Sequence, residues 1–197
     1  TSSQIISCND WLLIQTSLHV QVTSYFLKEN LSKKCNMDEA VKSWCGPLKS
    51  DQDFMYKNEW YEIKTTSPGN LSVKVSSVEQ LDTEISGNLV IMYFDKASEK
   101  DTRSISLNKI VIQIKNEIMD LGVSEIFDTM LLKMGYFYNR EYDHHCYHFH
   151  YSDMYKVDDE FPCLRKKSIP NAIGHVHYEL IITNIEEWRI QNESRRI

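Results

Sequence analysis

Apolar positions near the start of the chain recur at helical spacing: Ile14, Leu18, Val22 and Tyr25, with Phe26 beside them, predict an amphipathic helix over Gln15 to Asn30. Gln21 falls inside that apolar stripe. A second helical piece over Met37 to Trp44 runs into Gly46 and Pro47, which should break it before Asp53 opens the first strand. The period then changes. Glu59 to Thr66, Leu71 to Ser76 and Asn88 to Phe94 carry alternating or continuous apolar residues, and Ser67-Pro68-Gly69-Asn70 reads as the turn between the first two. Ser77-Val78-Glu79-Gln80 has the form of a capping box and should start a short helix through Leu81. Leu107, Ile110, Val111, Ile114, Ile118 and Leu121 mark a longer helix, capped by Ser106 and ended by Gly122. A further helix over Ser124 to Met134 stops at Gly135, and aromatic-rich strands follow at Phe137 to Tyr151, Met154 to Val157 and His175 to Thr183. The order predicts an α/β fold with a mixed β-sheet flanked by α-helices.

Composition bounds this picture. A chain of 197 residues, 42% hydrophobic and 25% charged, is long enough for one ordinary core, so residues 1–197 are expected to form a single domain. The chain opens at Thr1 rather than Met, and residues 1–16 read as an N-terminal extension or the remainder of a longer upstream region. No apolar run approaches the roughly 20 residues of a membrane span, and the start lacks a signal peptide's basic opening, which points to a soluble, cytoplasmic protein. Cys8, Cys35, Cys45, Cys146 and Cys163 are odd in number and contain no C-x-x-C pair, so reduced thiols are expected rather than disulfides. A formal net charge of −6 argues against a surface that binds nucleic acid broadly. Local basic strips remain, at Arg165-Lys166-Lys167 and at Arg195-Arg196.

The candidate chemistry lies in Asp53 and in the run Tyr61-Glu62-Ile63-Lys64-Thr65-Thr66. On a strand Glu62 and Lys64 leave by one face and Ile63 by the other, so a carboxylate and an ammonium sit side by side. With Asp53 brought in from the preceding strand, two carboxylates can hold a hard divalent cation beside a lysine that steers an attacking water, the set a phosphodiesterase needs. The same residues also fit a salt-bridged, exposed strand edge. The rival metal centre is the run His144, His145, Cys146, His148 and His150. On a strand, members two apart lie about 6.5 Å from each other, so two of them can chelate zinc but hardly four. The preferred reading packs Tyr147, Phe149 and Tyr151 inward and leaves the histidines on a partly solvated surface. Asp158-Asp159-Glu160 beside Phe161-Pro162 reads as a solvated turn. Gln80 fits either a cap or the active centre, and Lys74 either a phosphate contact or an ordinary exposed lysine. Neither a nucleophile elbow nor a phosphate-binding glycine loop is present in the sequence.

The pattern Asp53, Glu62-x-Lys64 resembles the core signature of the PD-(D/E)XK nuclease superfamily. The wording around it, Asp53-Phe54, Val75-Ser76-Ser77-Val78-Glu79-Gln80-Leu81-Asp82, Gly135-Tyr136, Tyr155-Lys156-Val157-Asp158-Asp159-Glu160-Phe161-Pro162 and Val176-His177-Tyr178-Glu179-Leu180, is similar to an uncharacterised bacterial branch found in restriction and defence loci. The resemblance runs from Ser17 to Trp188 and implies a restriction endonuclease-like core. By that likeness Asp53, Glu62 and the backbone carbonyl of Ile63 hold Mg2+, with Mn2+ as a substitute, and Lys64 orients or activates water. DNA is the implied substrate, with Lys74, Ser77 and Gln80 as candidate DNA contacts, and a homodimer or defence-system partner proteins as candidate associates. In that branch the first helix carries a glutamate within a pattern resembling G-L-x-G-E-L, where this chain reads Ser17-Leu18-His19-Val20-Gln21-Val22. Gln21 brings no charge to that place. The expectation is a Mg-dependent DNA endonuclease of bacterial restriction or anti-phage defence; the alternative is a catalytically weak or inactive subunit that binds DNA or a partner.

Overall fold

A computed structural model describes residues 8–190, with side chains from Ser17 onward. Its elements, in chain order, are helix α1 (Cys8–Phe26), α2 (Ser32–Lys34) and α3 (Met37–Lys42), strands β1 (Phe54–Tyr56), β2 (Glu59–Thr66), β3 (Ser72–Val75), β4 (Gly87–Ala97) and β5 (Ile105–Ser106), helices α4 (Leu107–Glu117), α5 (Leu121–Lys133) and α6 (Glu141–His144), and strands β6 (Cys146–Val157), β7 (Tyr178–Ile181) and β8 (Arg189–Ile190). These form two compact units, one holding the residues through Lys42 with Ala97–Tyr147, the other Ser43–Lys96 with the residues from His148 onward.

The first unit is helical. Helix α1 packs on α4 and α3 on α5, burying Val20, Val22, Phe26, Ile110, Val111, Ile114 and Phe127. The predicted first helix therefore exists, but it gives way at Leu27–Leu31 to a single π-helical turn before α2. Lys28 in that turn pairs with Glu117 at 2.9 Å. Helix α4 begins as expected, with the Ser106 hydroxyl accepting from the Lys109 N–H at 3.3 Å. It does not reach Gly122. Ile118 turns to extended backbone (φ −71°, ψ 129°), the Met119 N–H donates to Asp38 at 3.0 Å, and Asp120 starts α5 by accepting from the Val123 N–H at 3.1 Å. An aspartate cap outweighs the apparent apolar period, and Leu121 is left exposed. Gly135 ends α5 as predicted, at φ 77°, with the Tyr136 N–H closing on the Leu131 carbonyl at 2.9 Å.

The second unit is built on a mixed sheet. Strand β1 pairs antiparallel with β2, β2 parallel with β4, β6 lies beside β4, and β8 pairs antiparallel with β6. Leu89 to Phe94 of β4 are all buried, which explains the unbroken apolar run, because an inner parallel strand is covered on both faces. A separate antiparallel pair, β3 and β7, lays Val73, Val75 and Leu180 onto Trp60, Leu89, Ile91, Tyr155 and Val157. The predicted turn at Ser67–Asn70 is present, with Gly69 at φ 87°.

The expected strand from Phe137 is not formed. Residues ahead of Cys146 make a loop and the short α6, held by buried Asn108, whose amide donates to the Asn139 carbonyl and the Asp143 carboxylate, each at 2.9 Å. From Cys146 one strand runs through to Val157, without the break at Ser152-Asp153 that the sequence pattern predicts. Asp153 continues it because Arg189 meets its carboxylate at 2.9 Å.

Candidate active site

The hairpin that carries the candidate residues turns at Lys57-Asn58, with φ of 47° and 64°, the two left-handed positions of a tight hairpin turn. Asp53 stands just before β1 rather than in it. Its backbone carbonyl accepts from the N–H groups of Cys45 and Gly46 at 2.9 and 3.0 Å. Strand β1 starts opposite Tyr61, so β2 outruns it, and the Ile63 N–H beyond that point donates to the Asp53 carboxylate at 2.9 Å. A backbone donor left over by a short neighbour thus fixes the acid. Gly46 is more than a helix breaker: a Cβ there would stand 3.1 Å from the Asp53 carboxylate oxygen.

Glu62 and Lys64 do share a face, and it is the face of Trp60. Their parallel partners are Leu89 and Ile91, so the pair is set into the apolar layer beneath β3 and β7. The exposed-edge reading fails: although β1 stops pairing at Tyr61, Glu62 is 2% exposed and the Lys64 side chain is 11% exposed. The Lys64 ammonium lies 2.8 Å from the Glu62 carboxylate and donates to the Gln80 side-chain oxygen at 2.8 Å. That oxygen also accepts from the Ser76 N–H at 2.9 Å. The turn bearing Gln80 is tied back by Gln52, whose amide donates to the Glu79 carbonyl at 2.9 Å.

Asp53, Glu62, Ile63, Lys64 and Gln80 therefore meet in one place. Both carboxylates act on the Cys45 thiol, whose pKa is raised first by burial and then by the negative charges of Asp53 and Glu62. Two acids and one ammonium sum to one negative charge, which a divalent cation would reverse. The donors are oxygens, as magnesium requires, and two carboxylates are the usual protein share of a shell otherwise filled by water and phosphate. Among the described residues no group of three or more histidines, cysteines and acids gathers for a metal, so an all-protein zinc centre has no counterpart there. The residues present fit magnesium.

The remaining candidates separate. The capping box does not form as drawn: Val78–Gln80 is one 3-10 turn, and Ser77 makes no side-chain cap. Gln80 reaches back to Ser76 instead and uses the same oxygen to hold Lys64, so its structural and active-centre readings coincide. Lys74 points away from Val73 and Val75 into solvent, across from Glu179. Gln21 belongs to the first unit, where it is buried in α1 and its amide donates to the Ile105 carbonyl at 2.7 Å. Arg165 is not available to a ligand strip, because its guanidinium clamps the Asp158 and Leu81 carbonyls at 2.6 and 3.3 Å. Arg195 and Arg196 lie outside the described residues. His144 sits in α6 rather than on the strand and pairs with Glu99 at 2.7 Å, while His150 lies 3.1 Å from Asp95. Asp158 caps its own turn, accepting from the Glu160 and Phe161 N–H groups, as a solvated turn should. Cys35, Cys45, Cys146 and Cys163 are in no disulfide among the described residues.

An acid pinned beside an E-x-K strand on a mixed sheet, in an α/β chain, defines the restriction endonuclease-like PD-(D/E)XK class. Residues 25–183 match the family DUF4420, described as "Putative PD-(D/E)XK family member", and the chain belongs to that family. Membership in that family points to a nuclease function. No curated protein and no solved structure matches the chain. Among the described residues no helix is long and apolar enough to cross a membrane.

Proposed function

We propose that the protein is a Mg-dependent DNA endonuclease acting in the cytoplasm of a bacterium in restriction or anti-phage defence. The observation that carries this reading is the buried Glu62–Lys64 pair beside an Asp53 carboxylate hydrogen-bonded to the intervening Ile63 N–H. Asp53, Glu62 and the Ile63 carbonyl would hold Mg2+, or Mn2+ in its place. When bound, the ion would supply Lewis-acid stabilisation of phosphate charge and acidify a coordinated water. Lys64 would orient the attacking water: an ammonium has three donors, Glu62 and Gln80 take two, and the third remains for water or a phosphate oxygen. The β3–β7 layer keeps bulk water from this pair and so strengthens its electrostatics.

Plasmid cleavage with Mg2+ or Mn2+ tests this, with Glu62→Ala and Lys64→Ala as controls. Cutting by the parent and loss in both variants is the expected result; undiminished cutting in either variant refutes the assignment. The second reading is a nuclease-fold subunit that binds DNA or a defence partner without cutting. It is favoured by Gln21, whose neutral amide is committed to the Ile105 carbonyl. A parent that binds DNA but leaves plasmid intact under both metals would select it.

A further inference from the structure

The chain is acidic overall, yet the segment from Arg165 to Tyr178 contains one arginine, two lysines and two histidines and no acid. Most of it is exposed, including Lys166, Lys167, His175 and His177. Such a loop is commonly a solvated connection, but both ends of this one are fastened to the stretch that carries Gln80. At one end Arg165 binds the Leu81 carbonyl at 3.3 Å and the Asp82 carboxylate at 3.4 Å, and the Lys166 N–H donates to the same carboxylate at 2.7 Å. At the other end Tyr178 pairs with Val75 at the close of β3. The loop therefore brackets Val75–Asp82, the segment whose Gln80 side chain holds the Lys64 ammonium at 2.8 Å.

Its charge is also accessible. The Asp82 carboxylate, the nearest acid in sequence to the Gln80 turn after Glu79, is occupied by Arg165 and the Lys166 backbone. The ammonium of Lys166 makes only a 3.5 Å contact with Glu79, and its side chain is 76% exposed. A contact of that length between solvated groups is weak and is easily exchanged for a phosphate. Lys167 stands beside it in the same 3-10 turn, Lys166–Ser168.

We infer that the Arg165–Tyr178 loop is the surface that receives the DNA backbone, with Lys166 and Lys167 contacting phosphates and Arg165 anchoring the loop to the Gln80 turn. The inference rests on the nuclease reading above and adds to it the element that binds substrate. It also explains how an acidic protein can take an anionic substrate: the positive charge is local and mounted next to the chemistry.

The test uses the full chain with a fluorescently labelled DNA duplex in EDTA, where binding is read without cleavage, as a function of salt. The variants are Lys166→Ala/Lys167→Ala and a control, Lys42→Ala/Lys133→Ala, which removes two exposed lysines elsewhere. Loss of two phosphate contacts should make the slope of log affinity against log salt shallower by about 1.8 and raise the dissociation constant several-fold at low salt, with the control unchanged. Equal slopes for the parent and the loop variant overturn the inference while leaving the nuclease reading intact. Equal losses in both double variants also overturn it, since the effect would then be net charge alone. A parent that binds no duplex at any salt removes the DNA reading and this loop's role together.

Discussion

Replacing Lys64 by methionine tests the electrostatics of the site without removing an acid. The ammonium stands 2.8 Å from Glu62, a separation at which two unit charges attract by a gross energy of about 6 kcal/mol at an effective dielectric constant near 20. Glu62 is 2% exposed and cannot turn to water. Breaking such a buried pair by removing one partner costs about 3–5 kcal/mol, because the remaining charge stays desolvated. With a urea dependence near 2 kcal/mol per molar, the unfolding midpoint at pH 7 should fall by about 1.5–2.5 M in EDTA. If Asp53 and Glu62 are the metal ligands, a divalent cation replaces the lost positive charge. Added Mg2+ or Mn2+ should then stabilise Lys64→Met more than it stabilises the parent. Urea melts of both proteins, with EDTA and with metal, measure all four quantities. A midpoint shift under about 0.3 M in EDTA would refute the buried-pair energetics. Identical metal increments in parent and variant would refute the proposed coupling of the cation to this carboxylate.

Gln21→Glu should lower stability by about 1–3 kcal/mol, since the Ile105 carbonyl loses its donor and meets a carboxylate instead; thermal unfolding measures it, and an unchanged midpoint would contradict the 2.7 Å hydrogen bond. Gln80→Ala frees the Lys64 ammonium from one of its two acceptors and should reduce kcat more than it raises KM in the cleavage assay; an unchanged kcat would remove Gln80 from the positioning of Lys64. Gly87→Ala places a methyl 2.0 Å from the buried ring of Trp60, whose indole N–H donates to the Ile85 carbonyl at 2.8 Å. Overpacking there should cost at least about 1–3 kcal/mol by urea titration. The pKa of His144 is raised by its hydrogen bond and charge pairing with Glu99. Because a raised histidine favours the folded state only while protonated, this contribution is present below its ordinary value and is lost as pH rises through the folded one. An NMR titration should find the His144 midpoint above that of Glu99→Gln, and equal midpoints would dissolve the pair.

The sequence by itself determined the strand alternation of Glu59 to Thr66, the one-faced pairing of Glu62 with Lys64, the stops at Gly69 and Gly135, and the family likeness, because period, turn chemistry and short motifs are local properties. It misjudged the end of α4 because Asp120 as a cap and Leu121 as an apolar repeat make opposite local demands, and only the bond from Met119 to Asp38 decides between them. It likewise broke β6 at Asp153, whose partner Arg189 lies 36 residues away. The burial of the Glu62–Lys64 pair, the hold of Asp53 on the Ile63 N–H and the double use of the Gln80 oxygen belong to the tertiary structure. Each depends on which strand outruns its neighbour and which segment is laid over the sheet, and those are long-range choices that no spacing along the chain encodes.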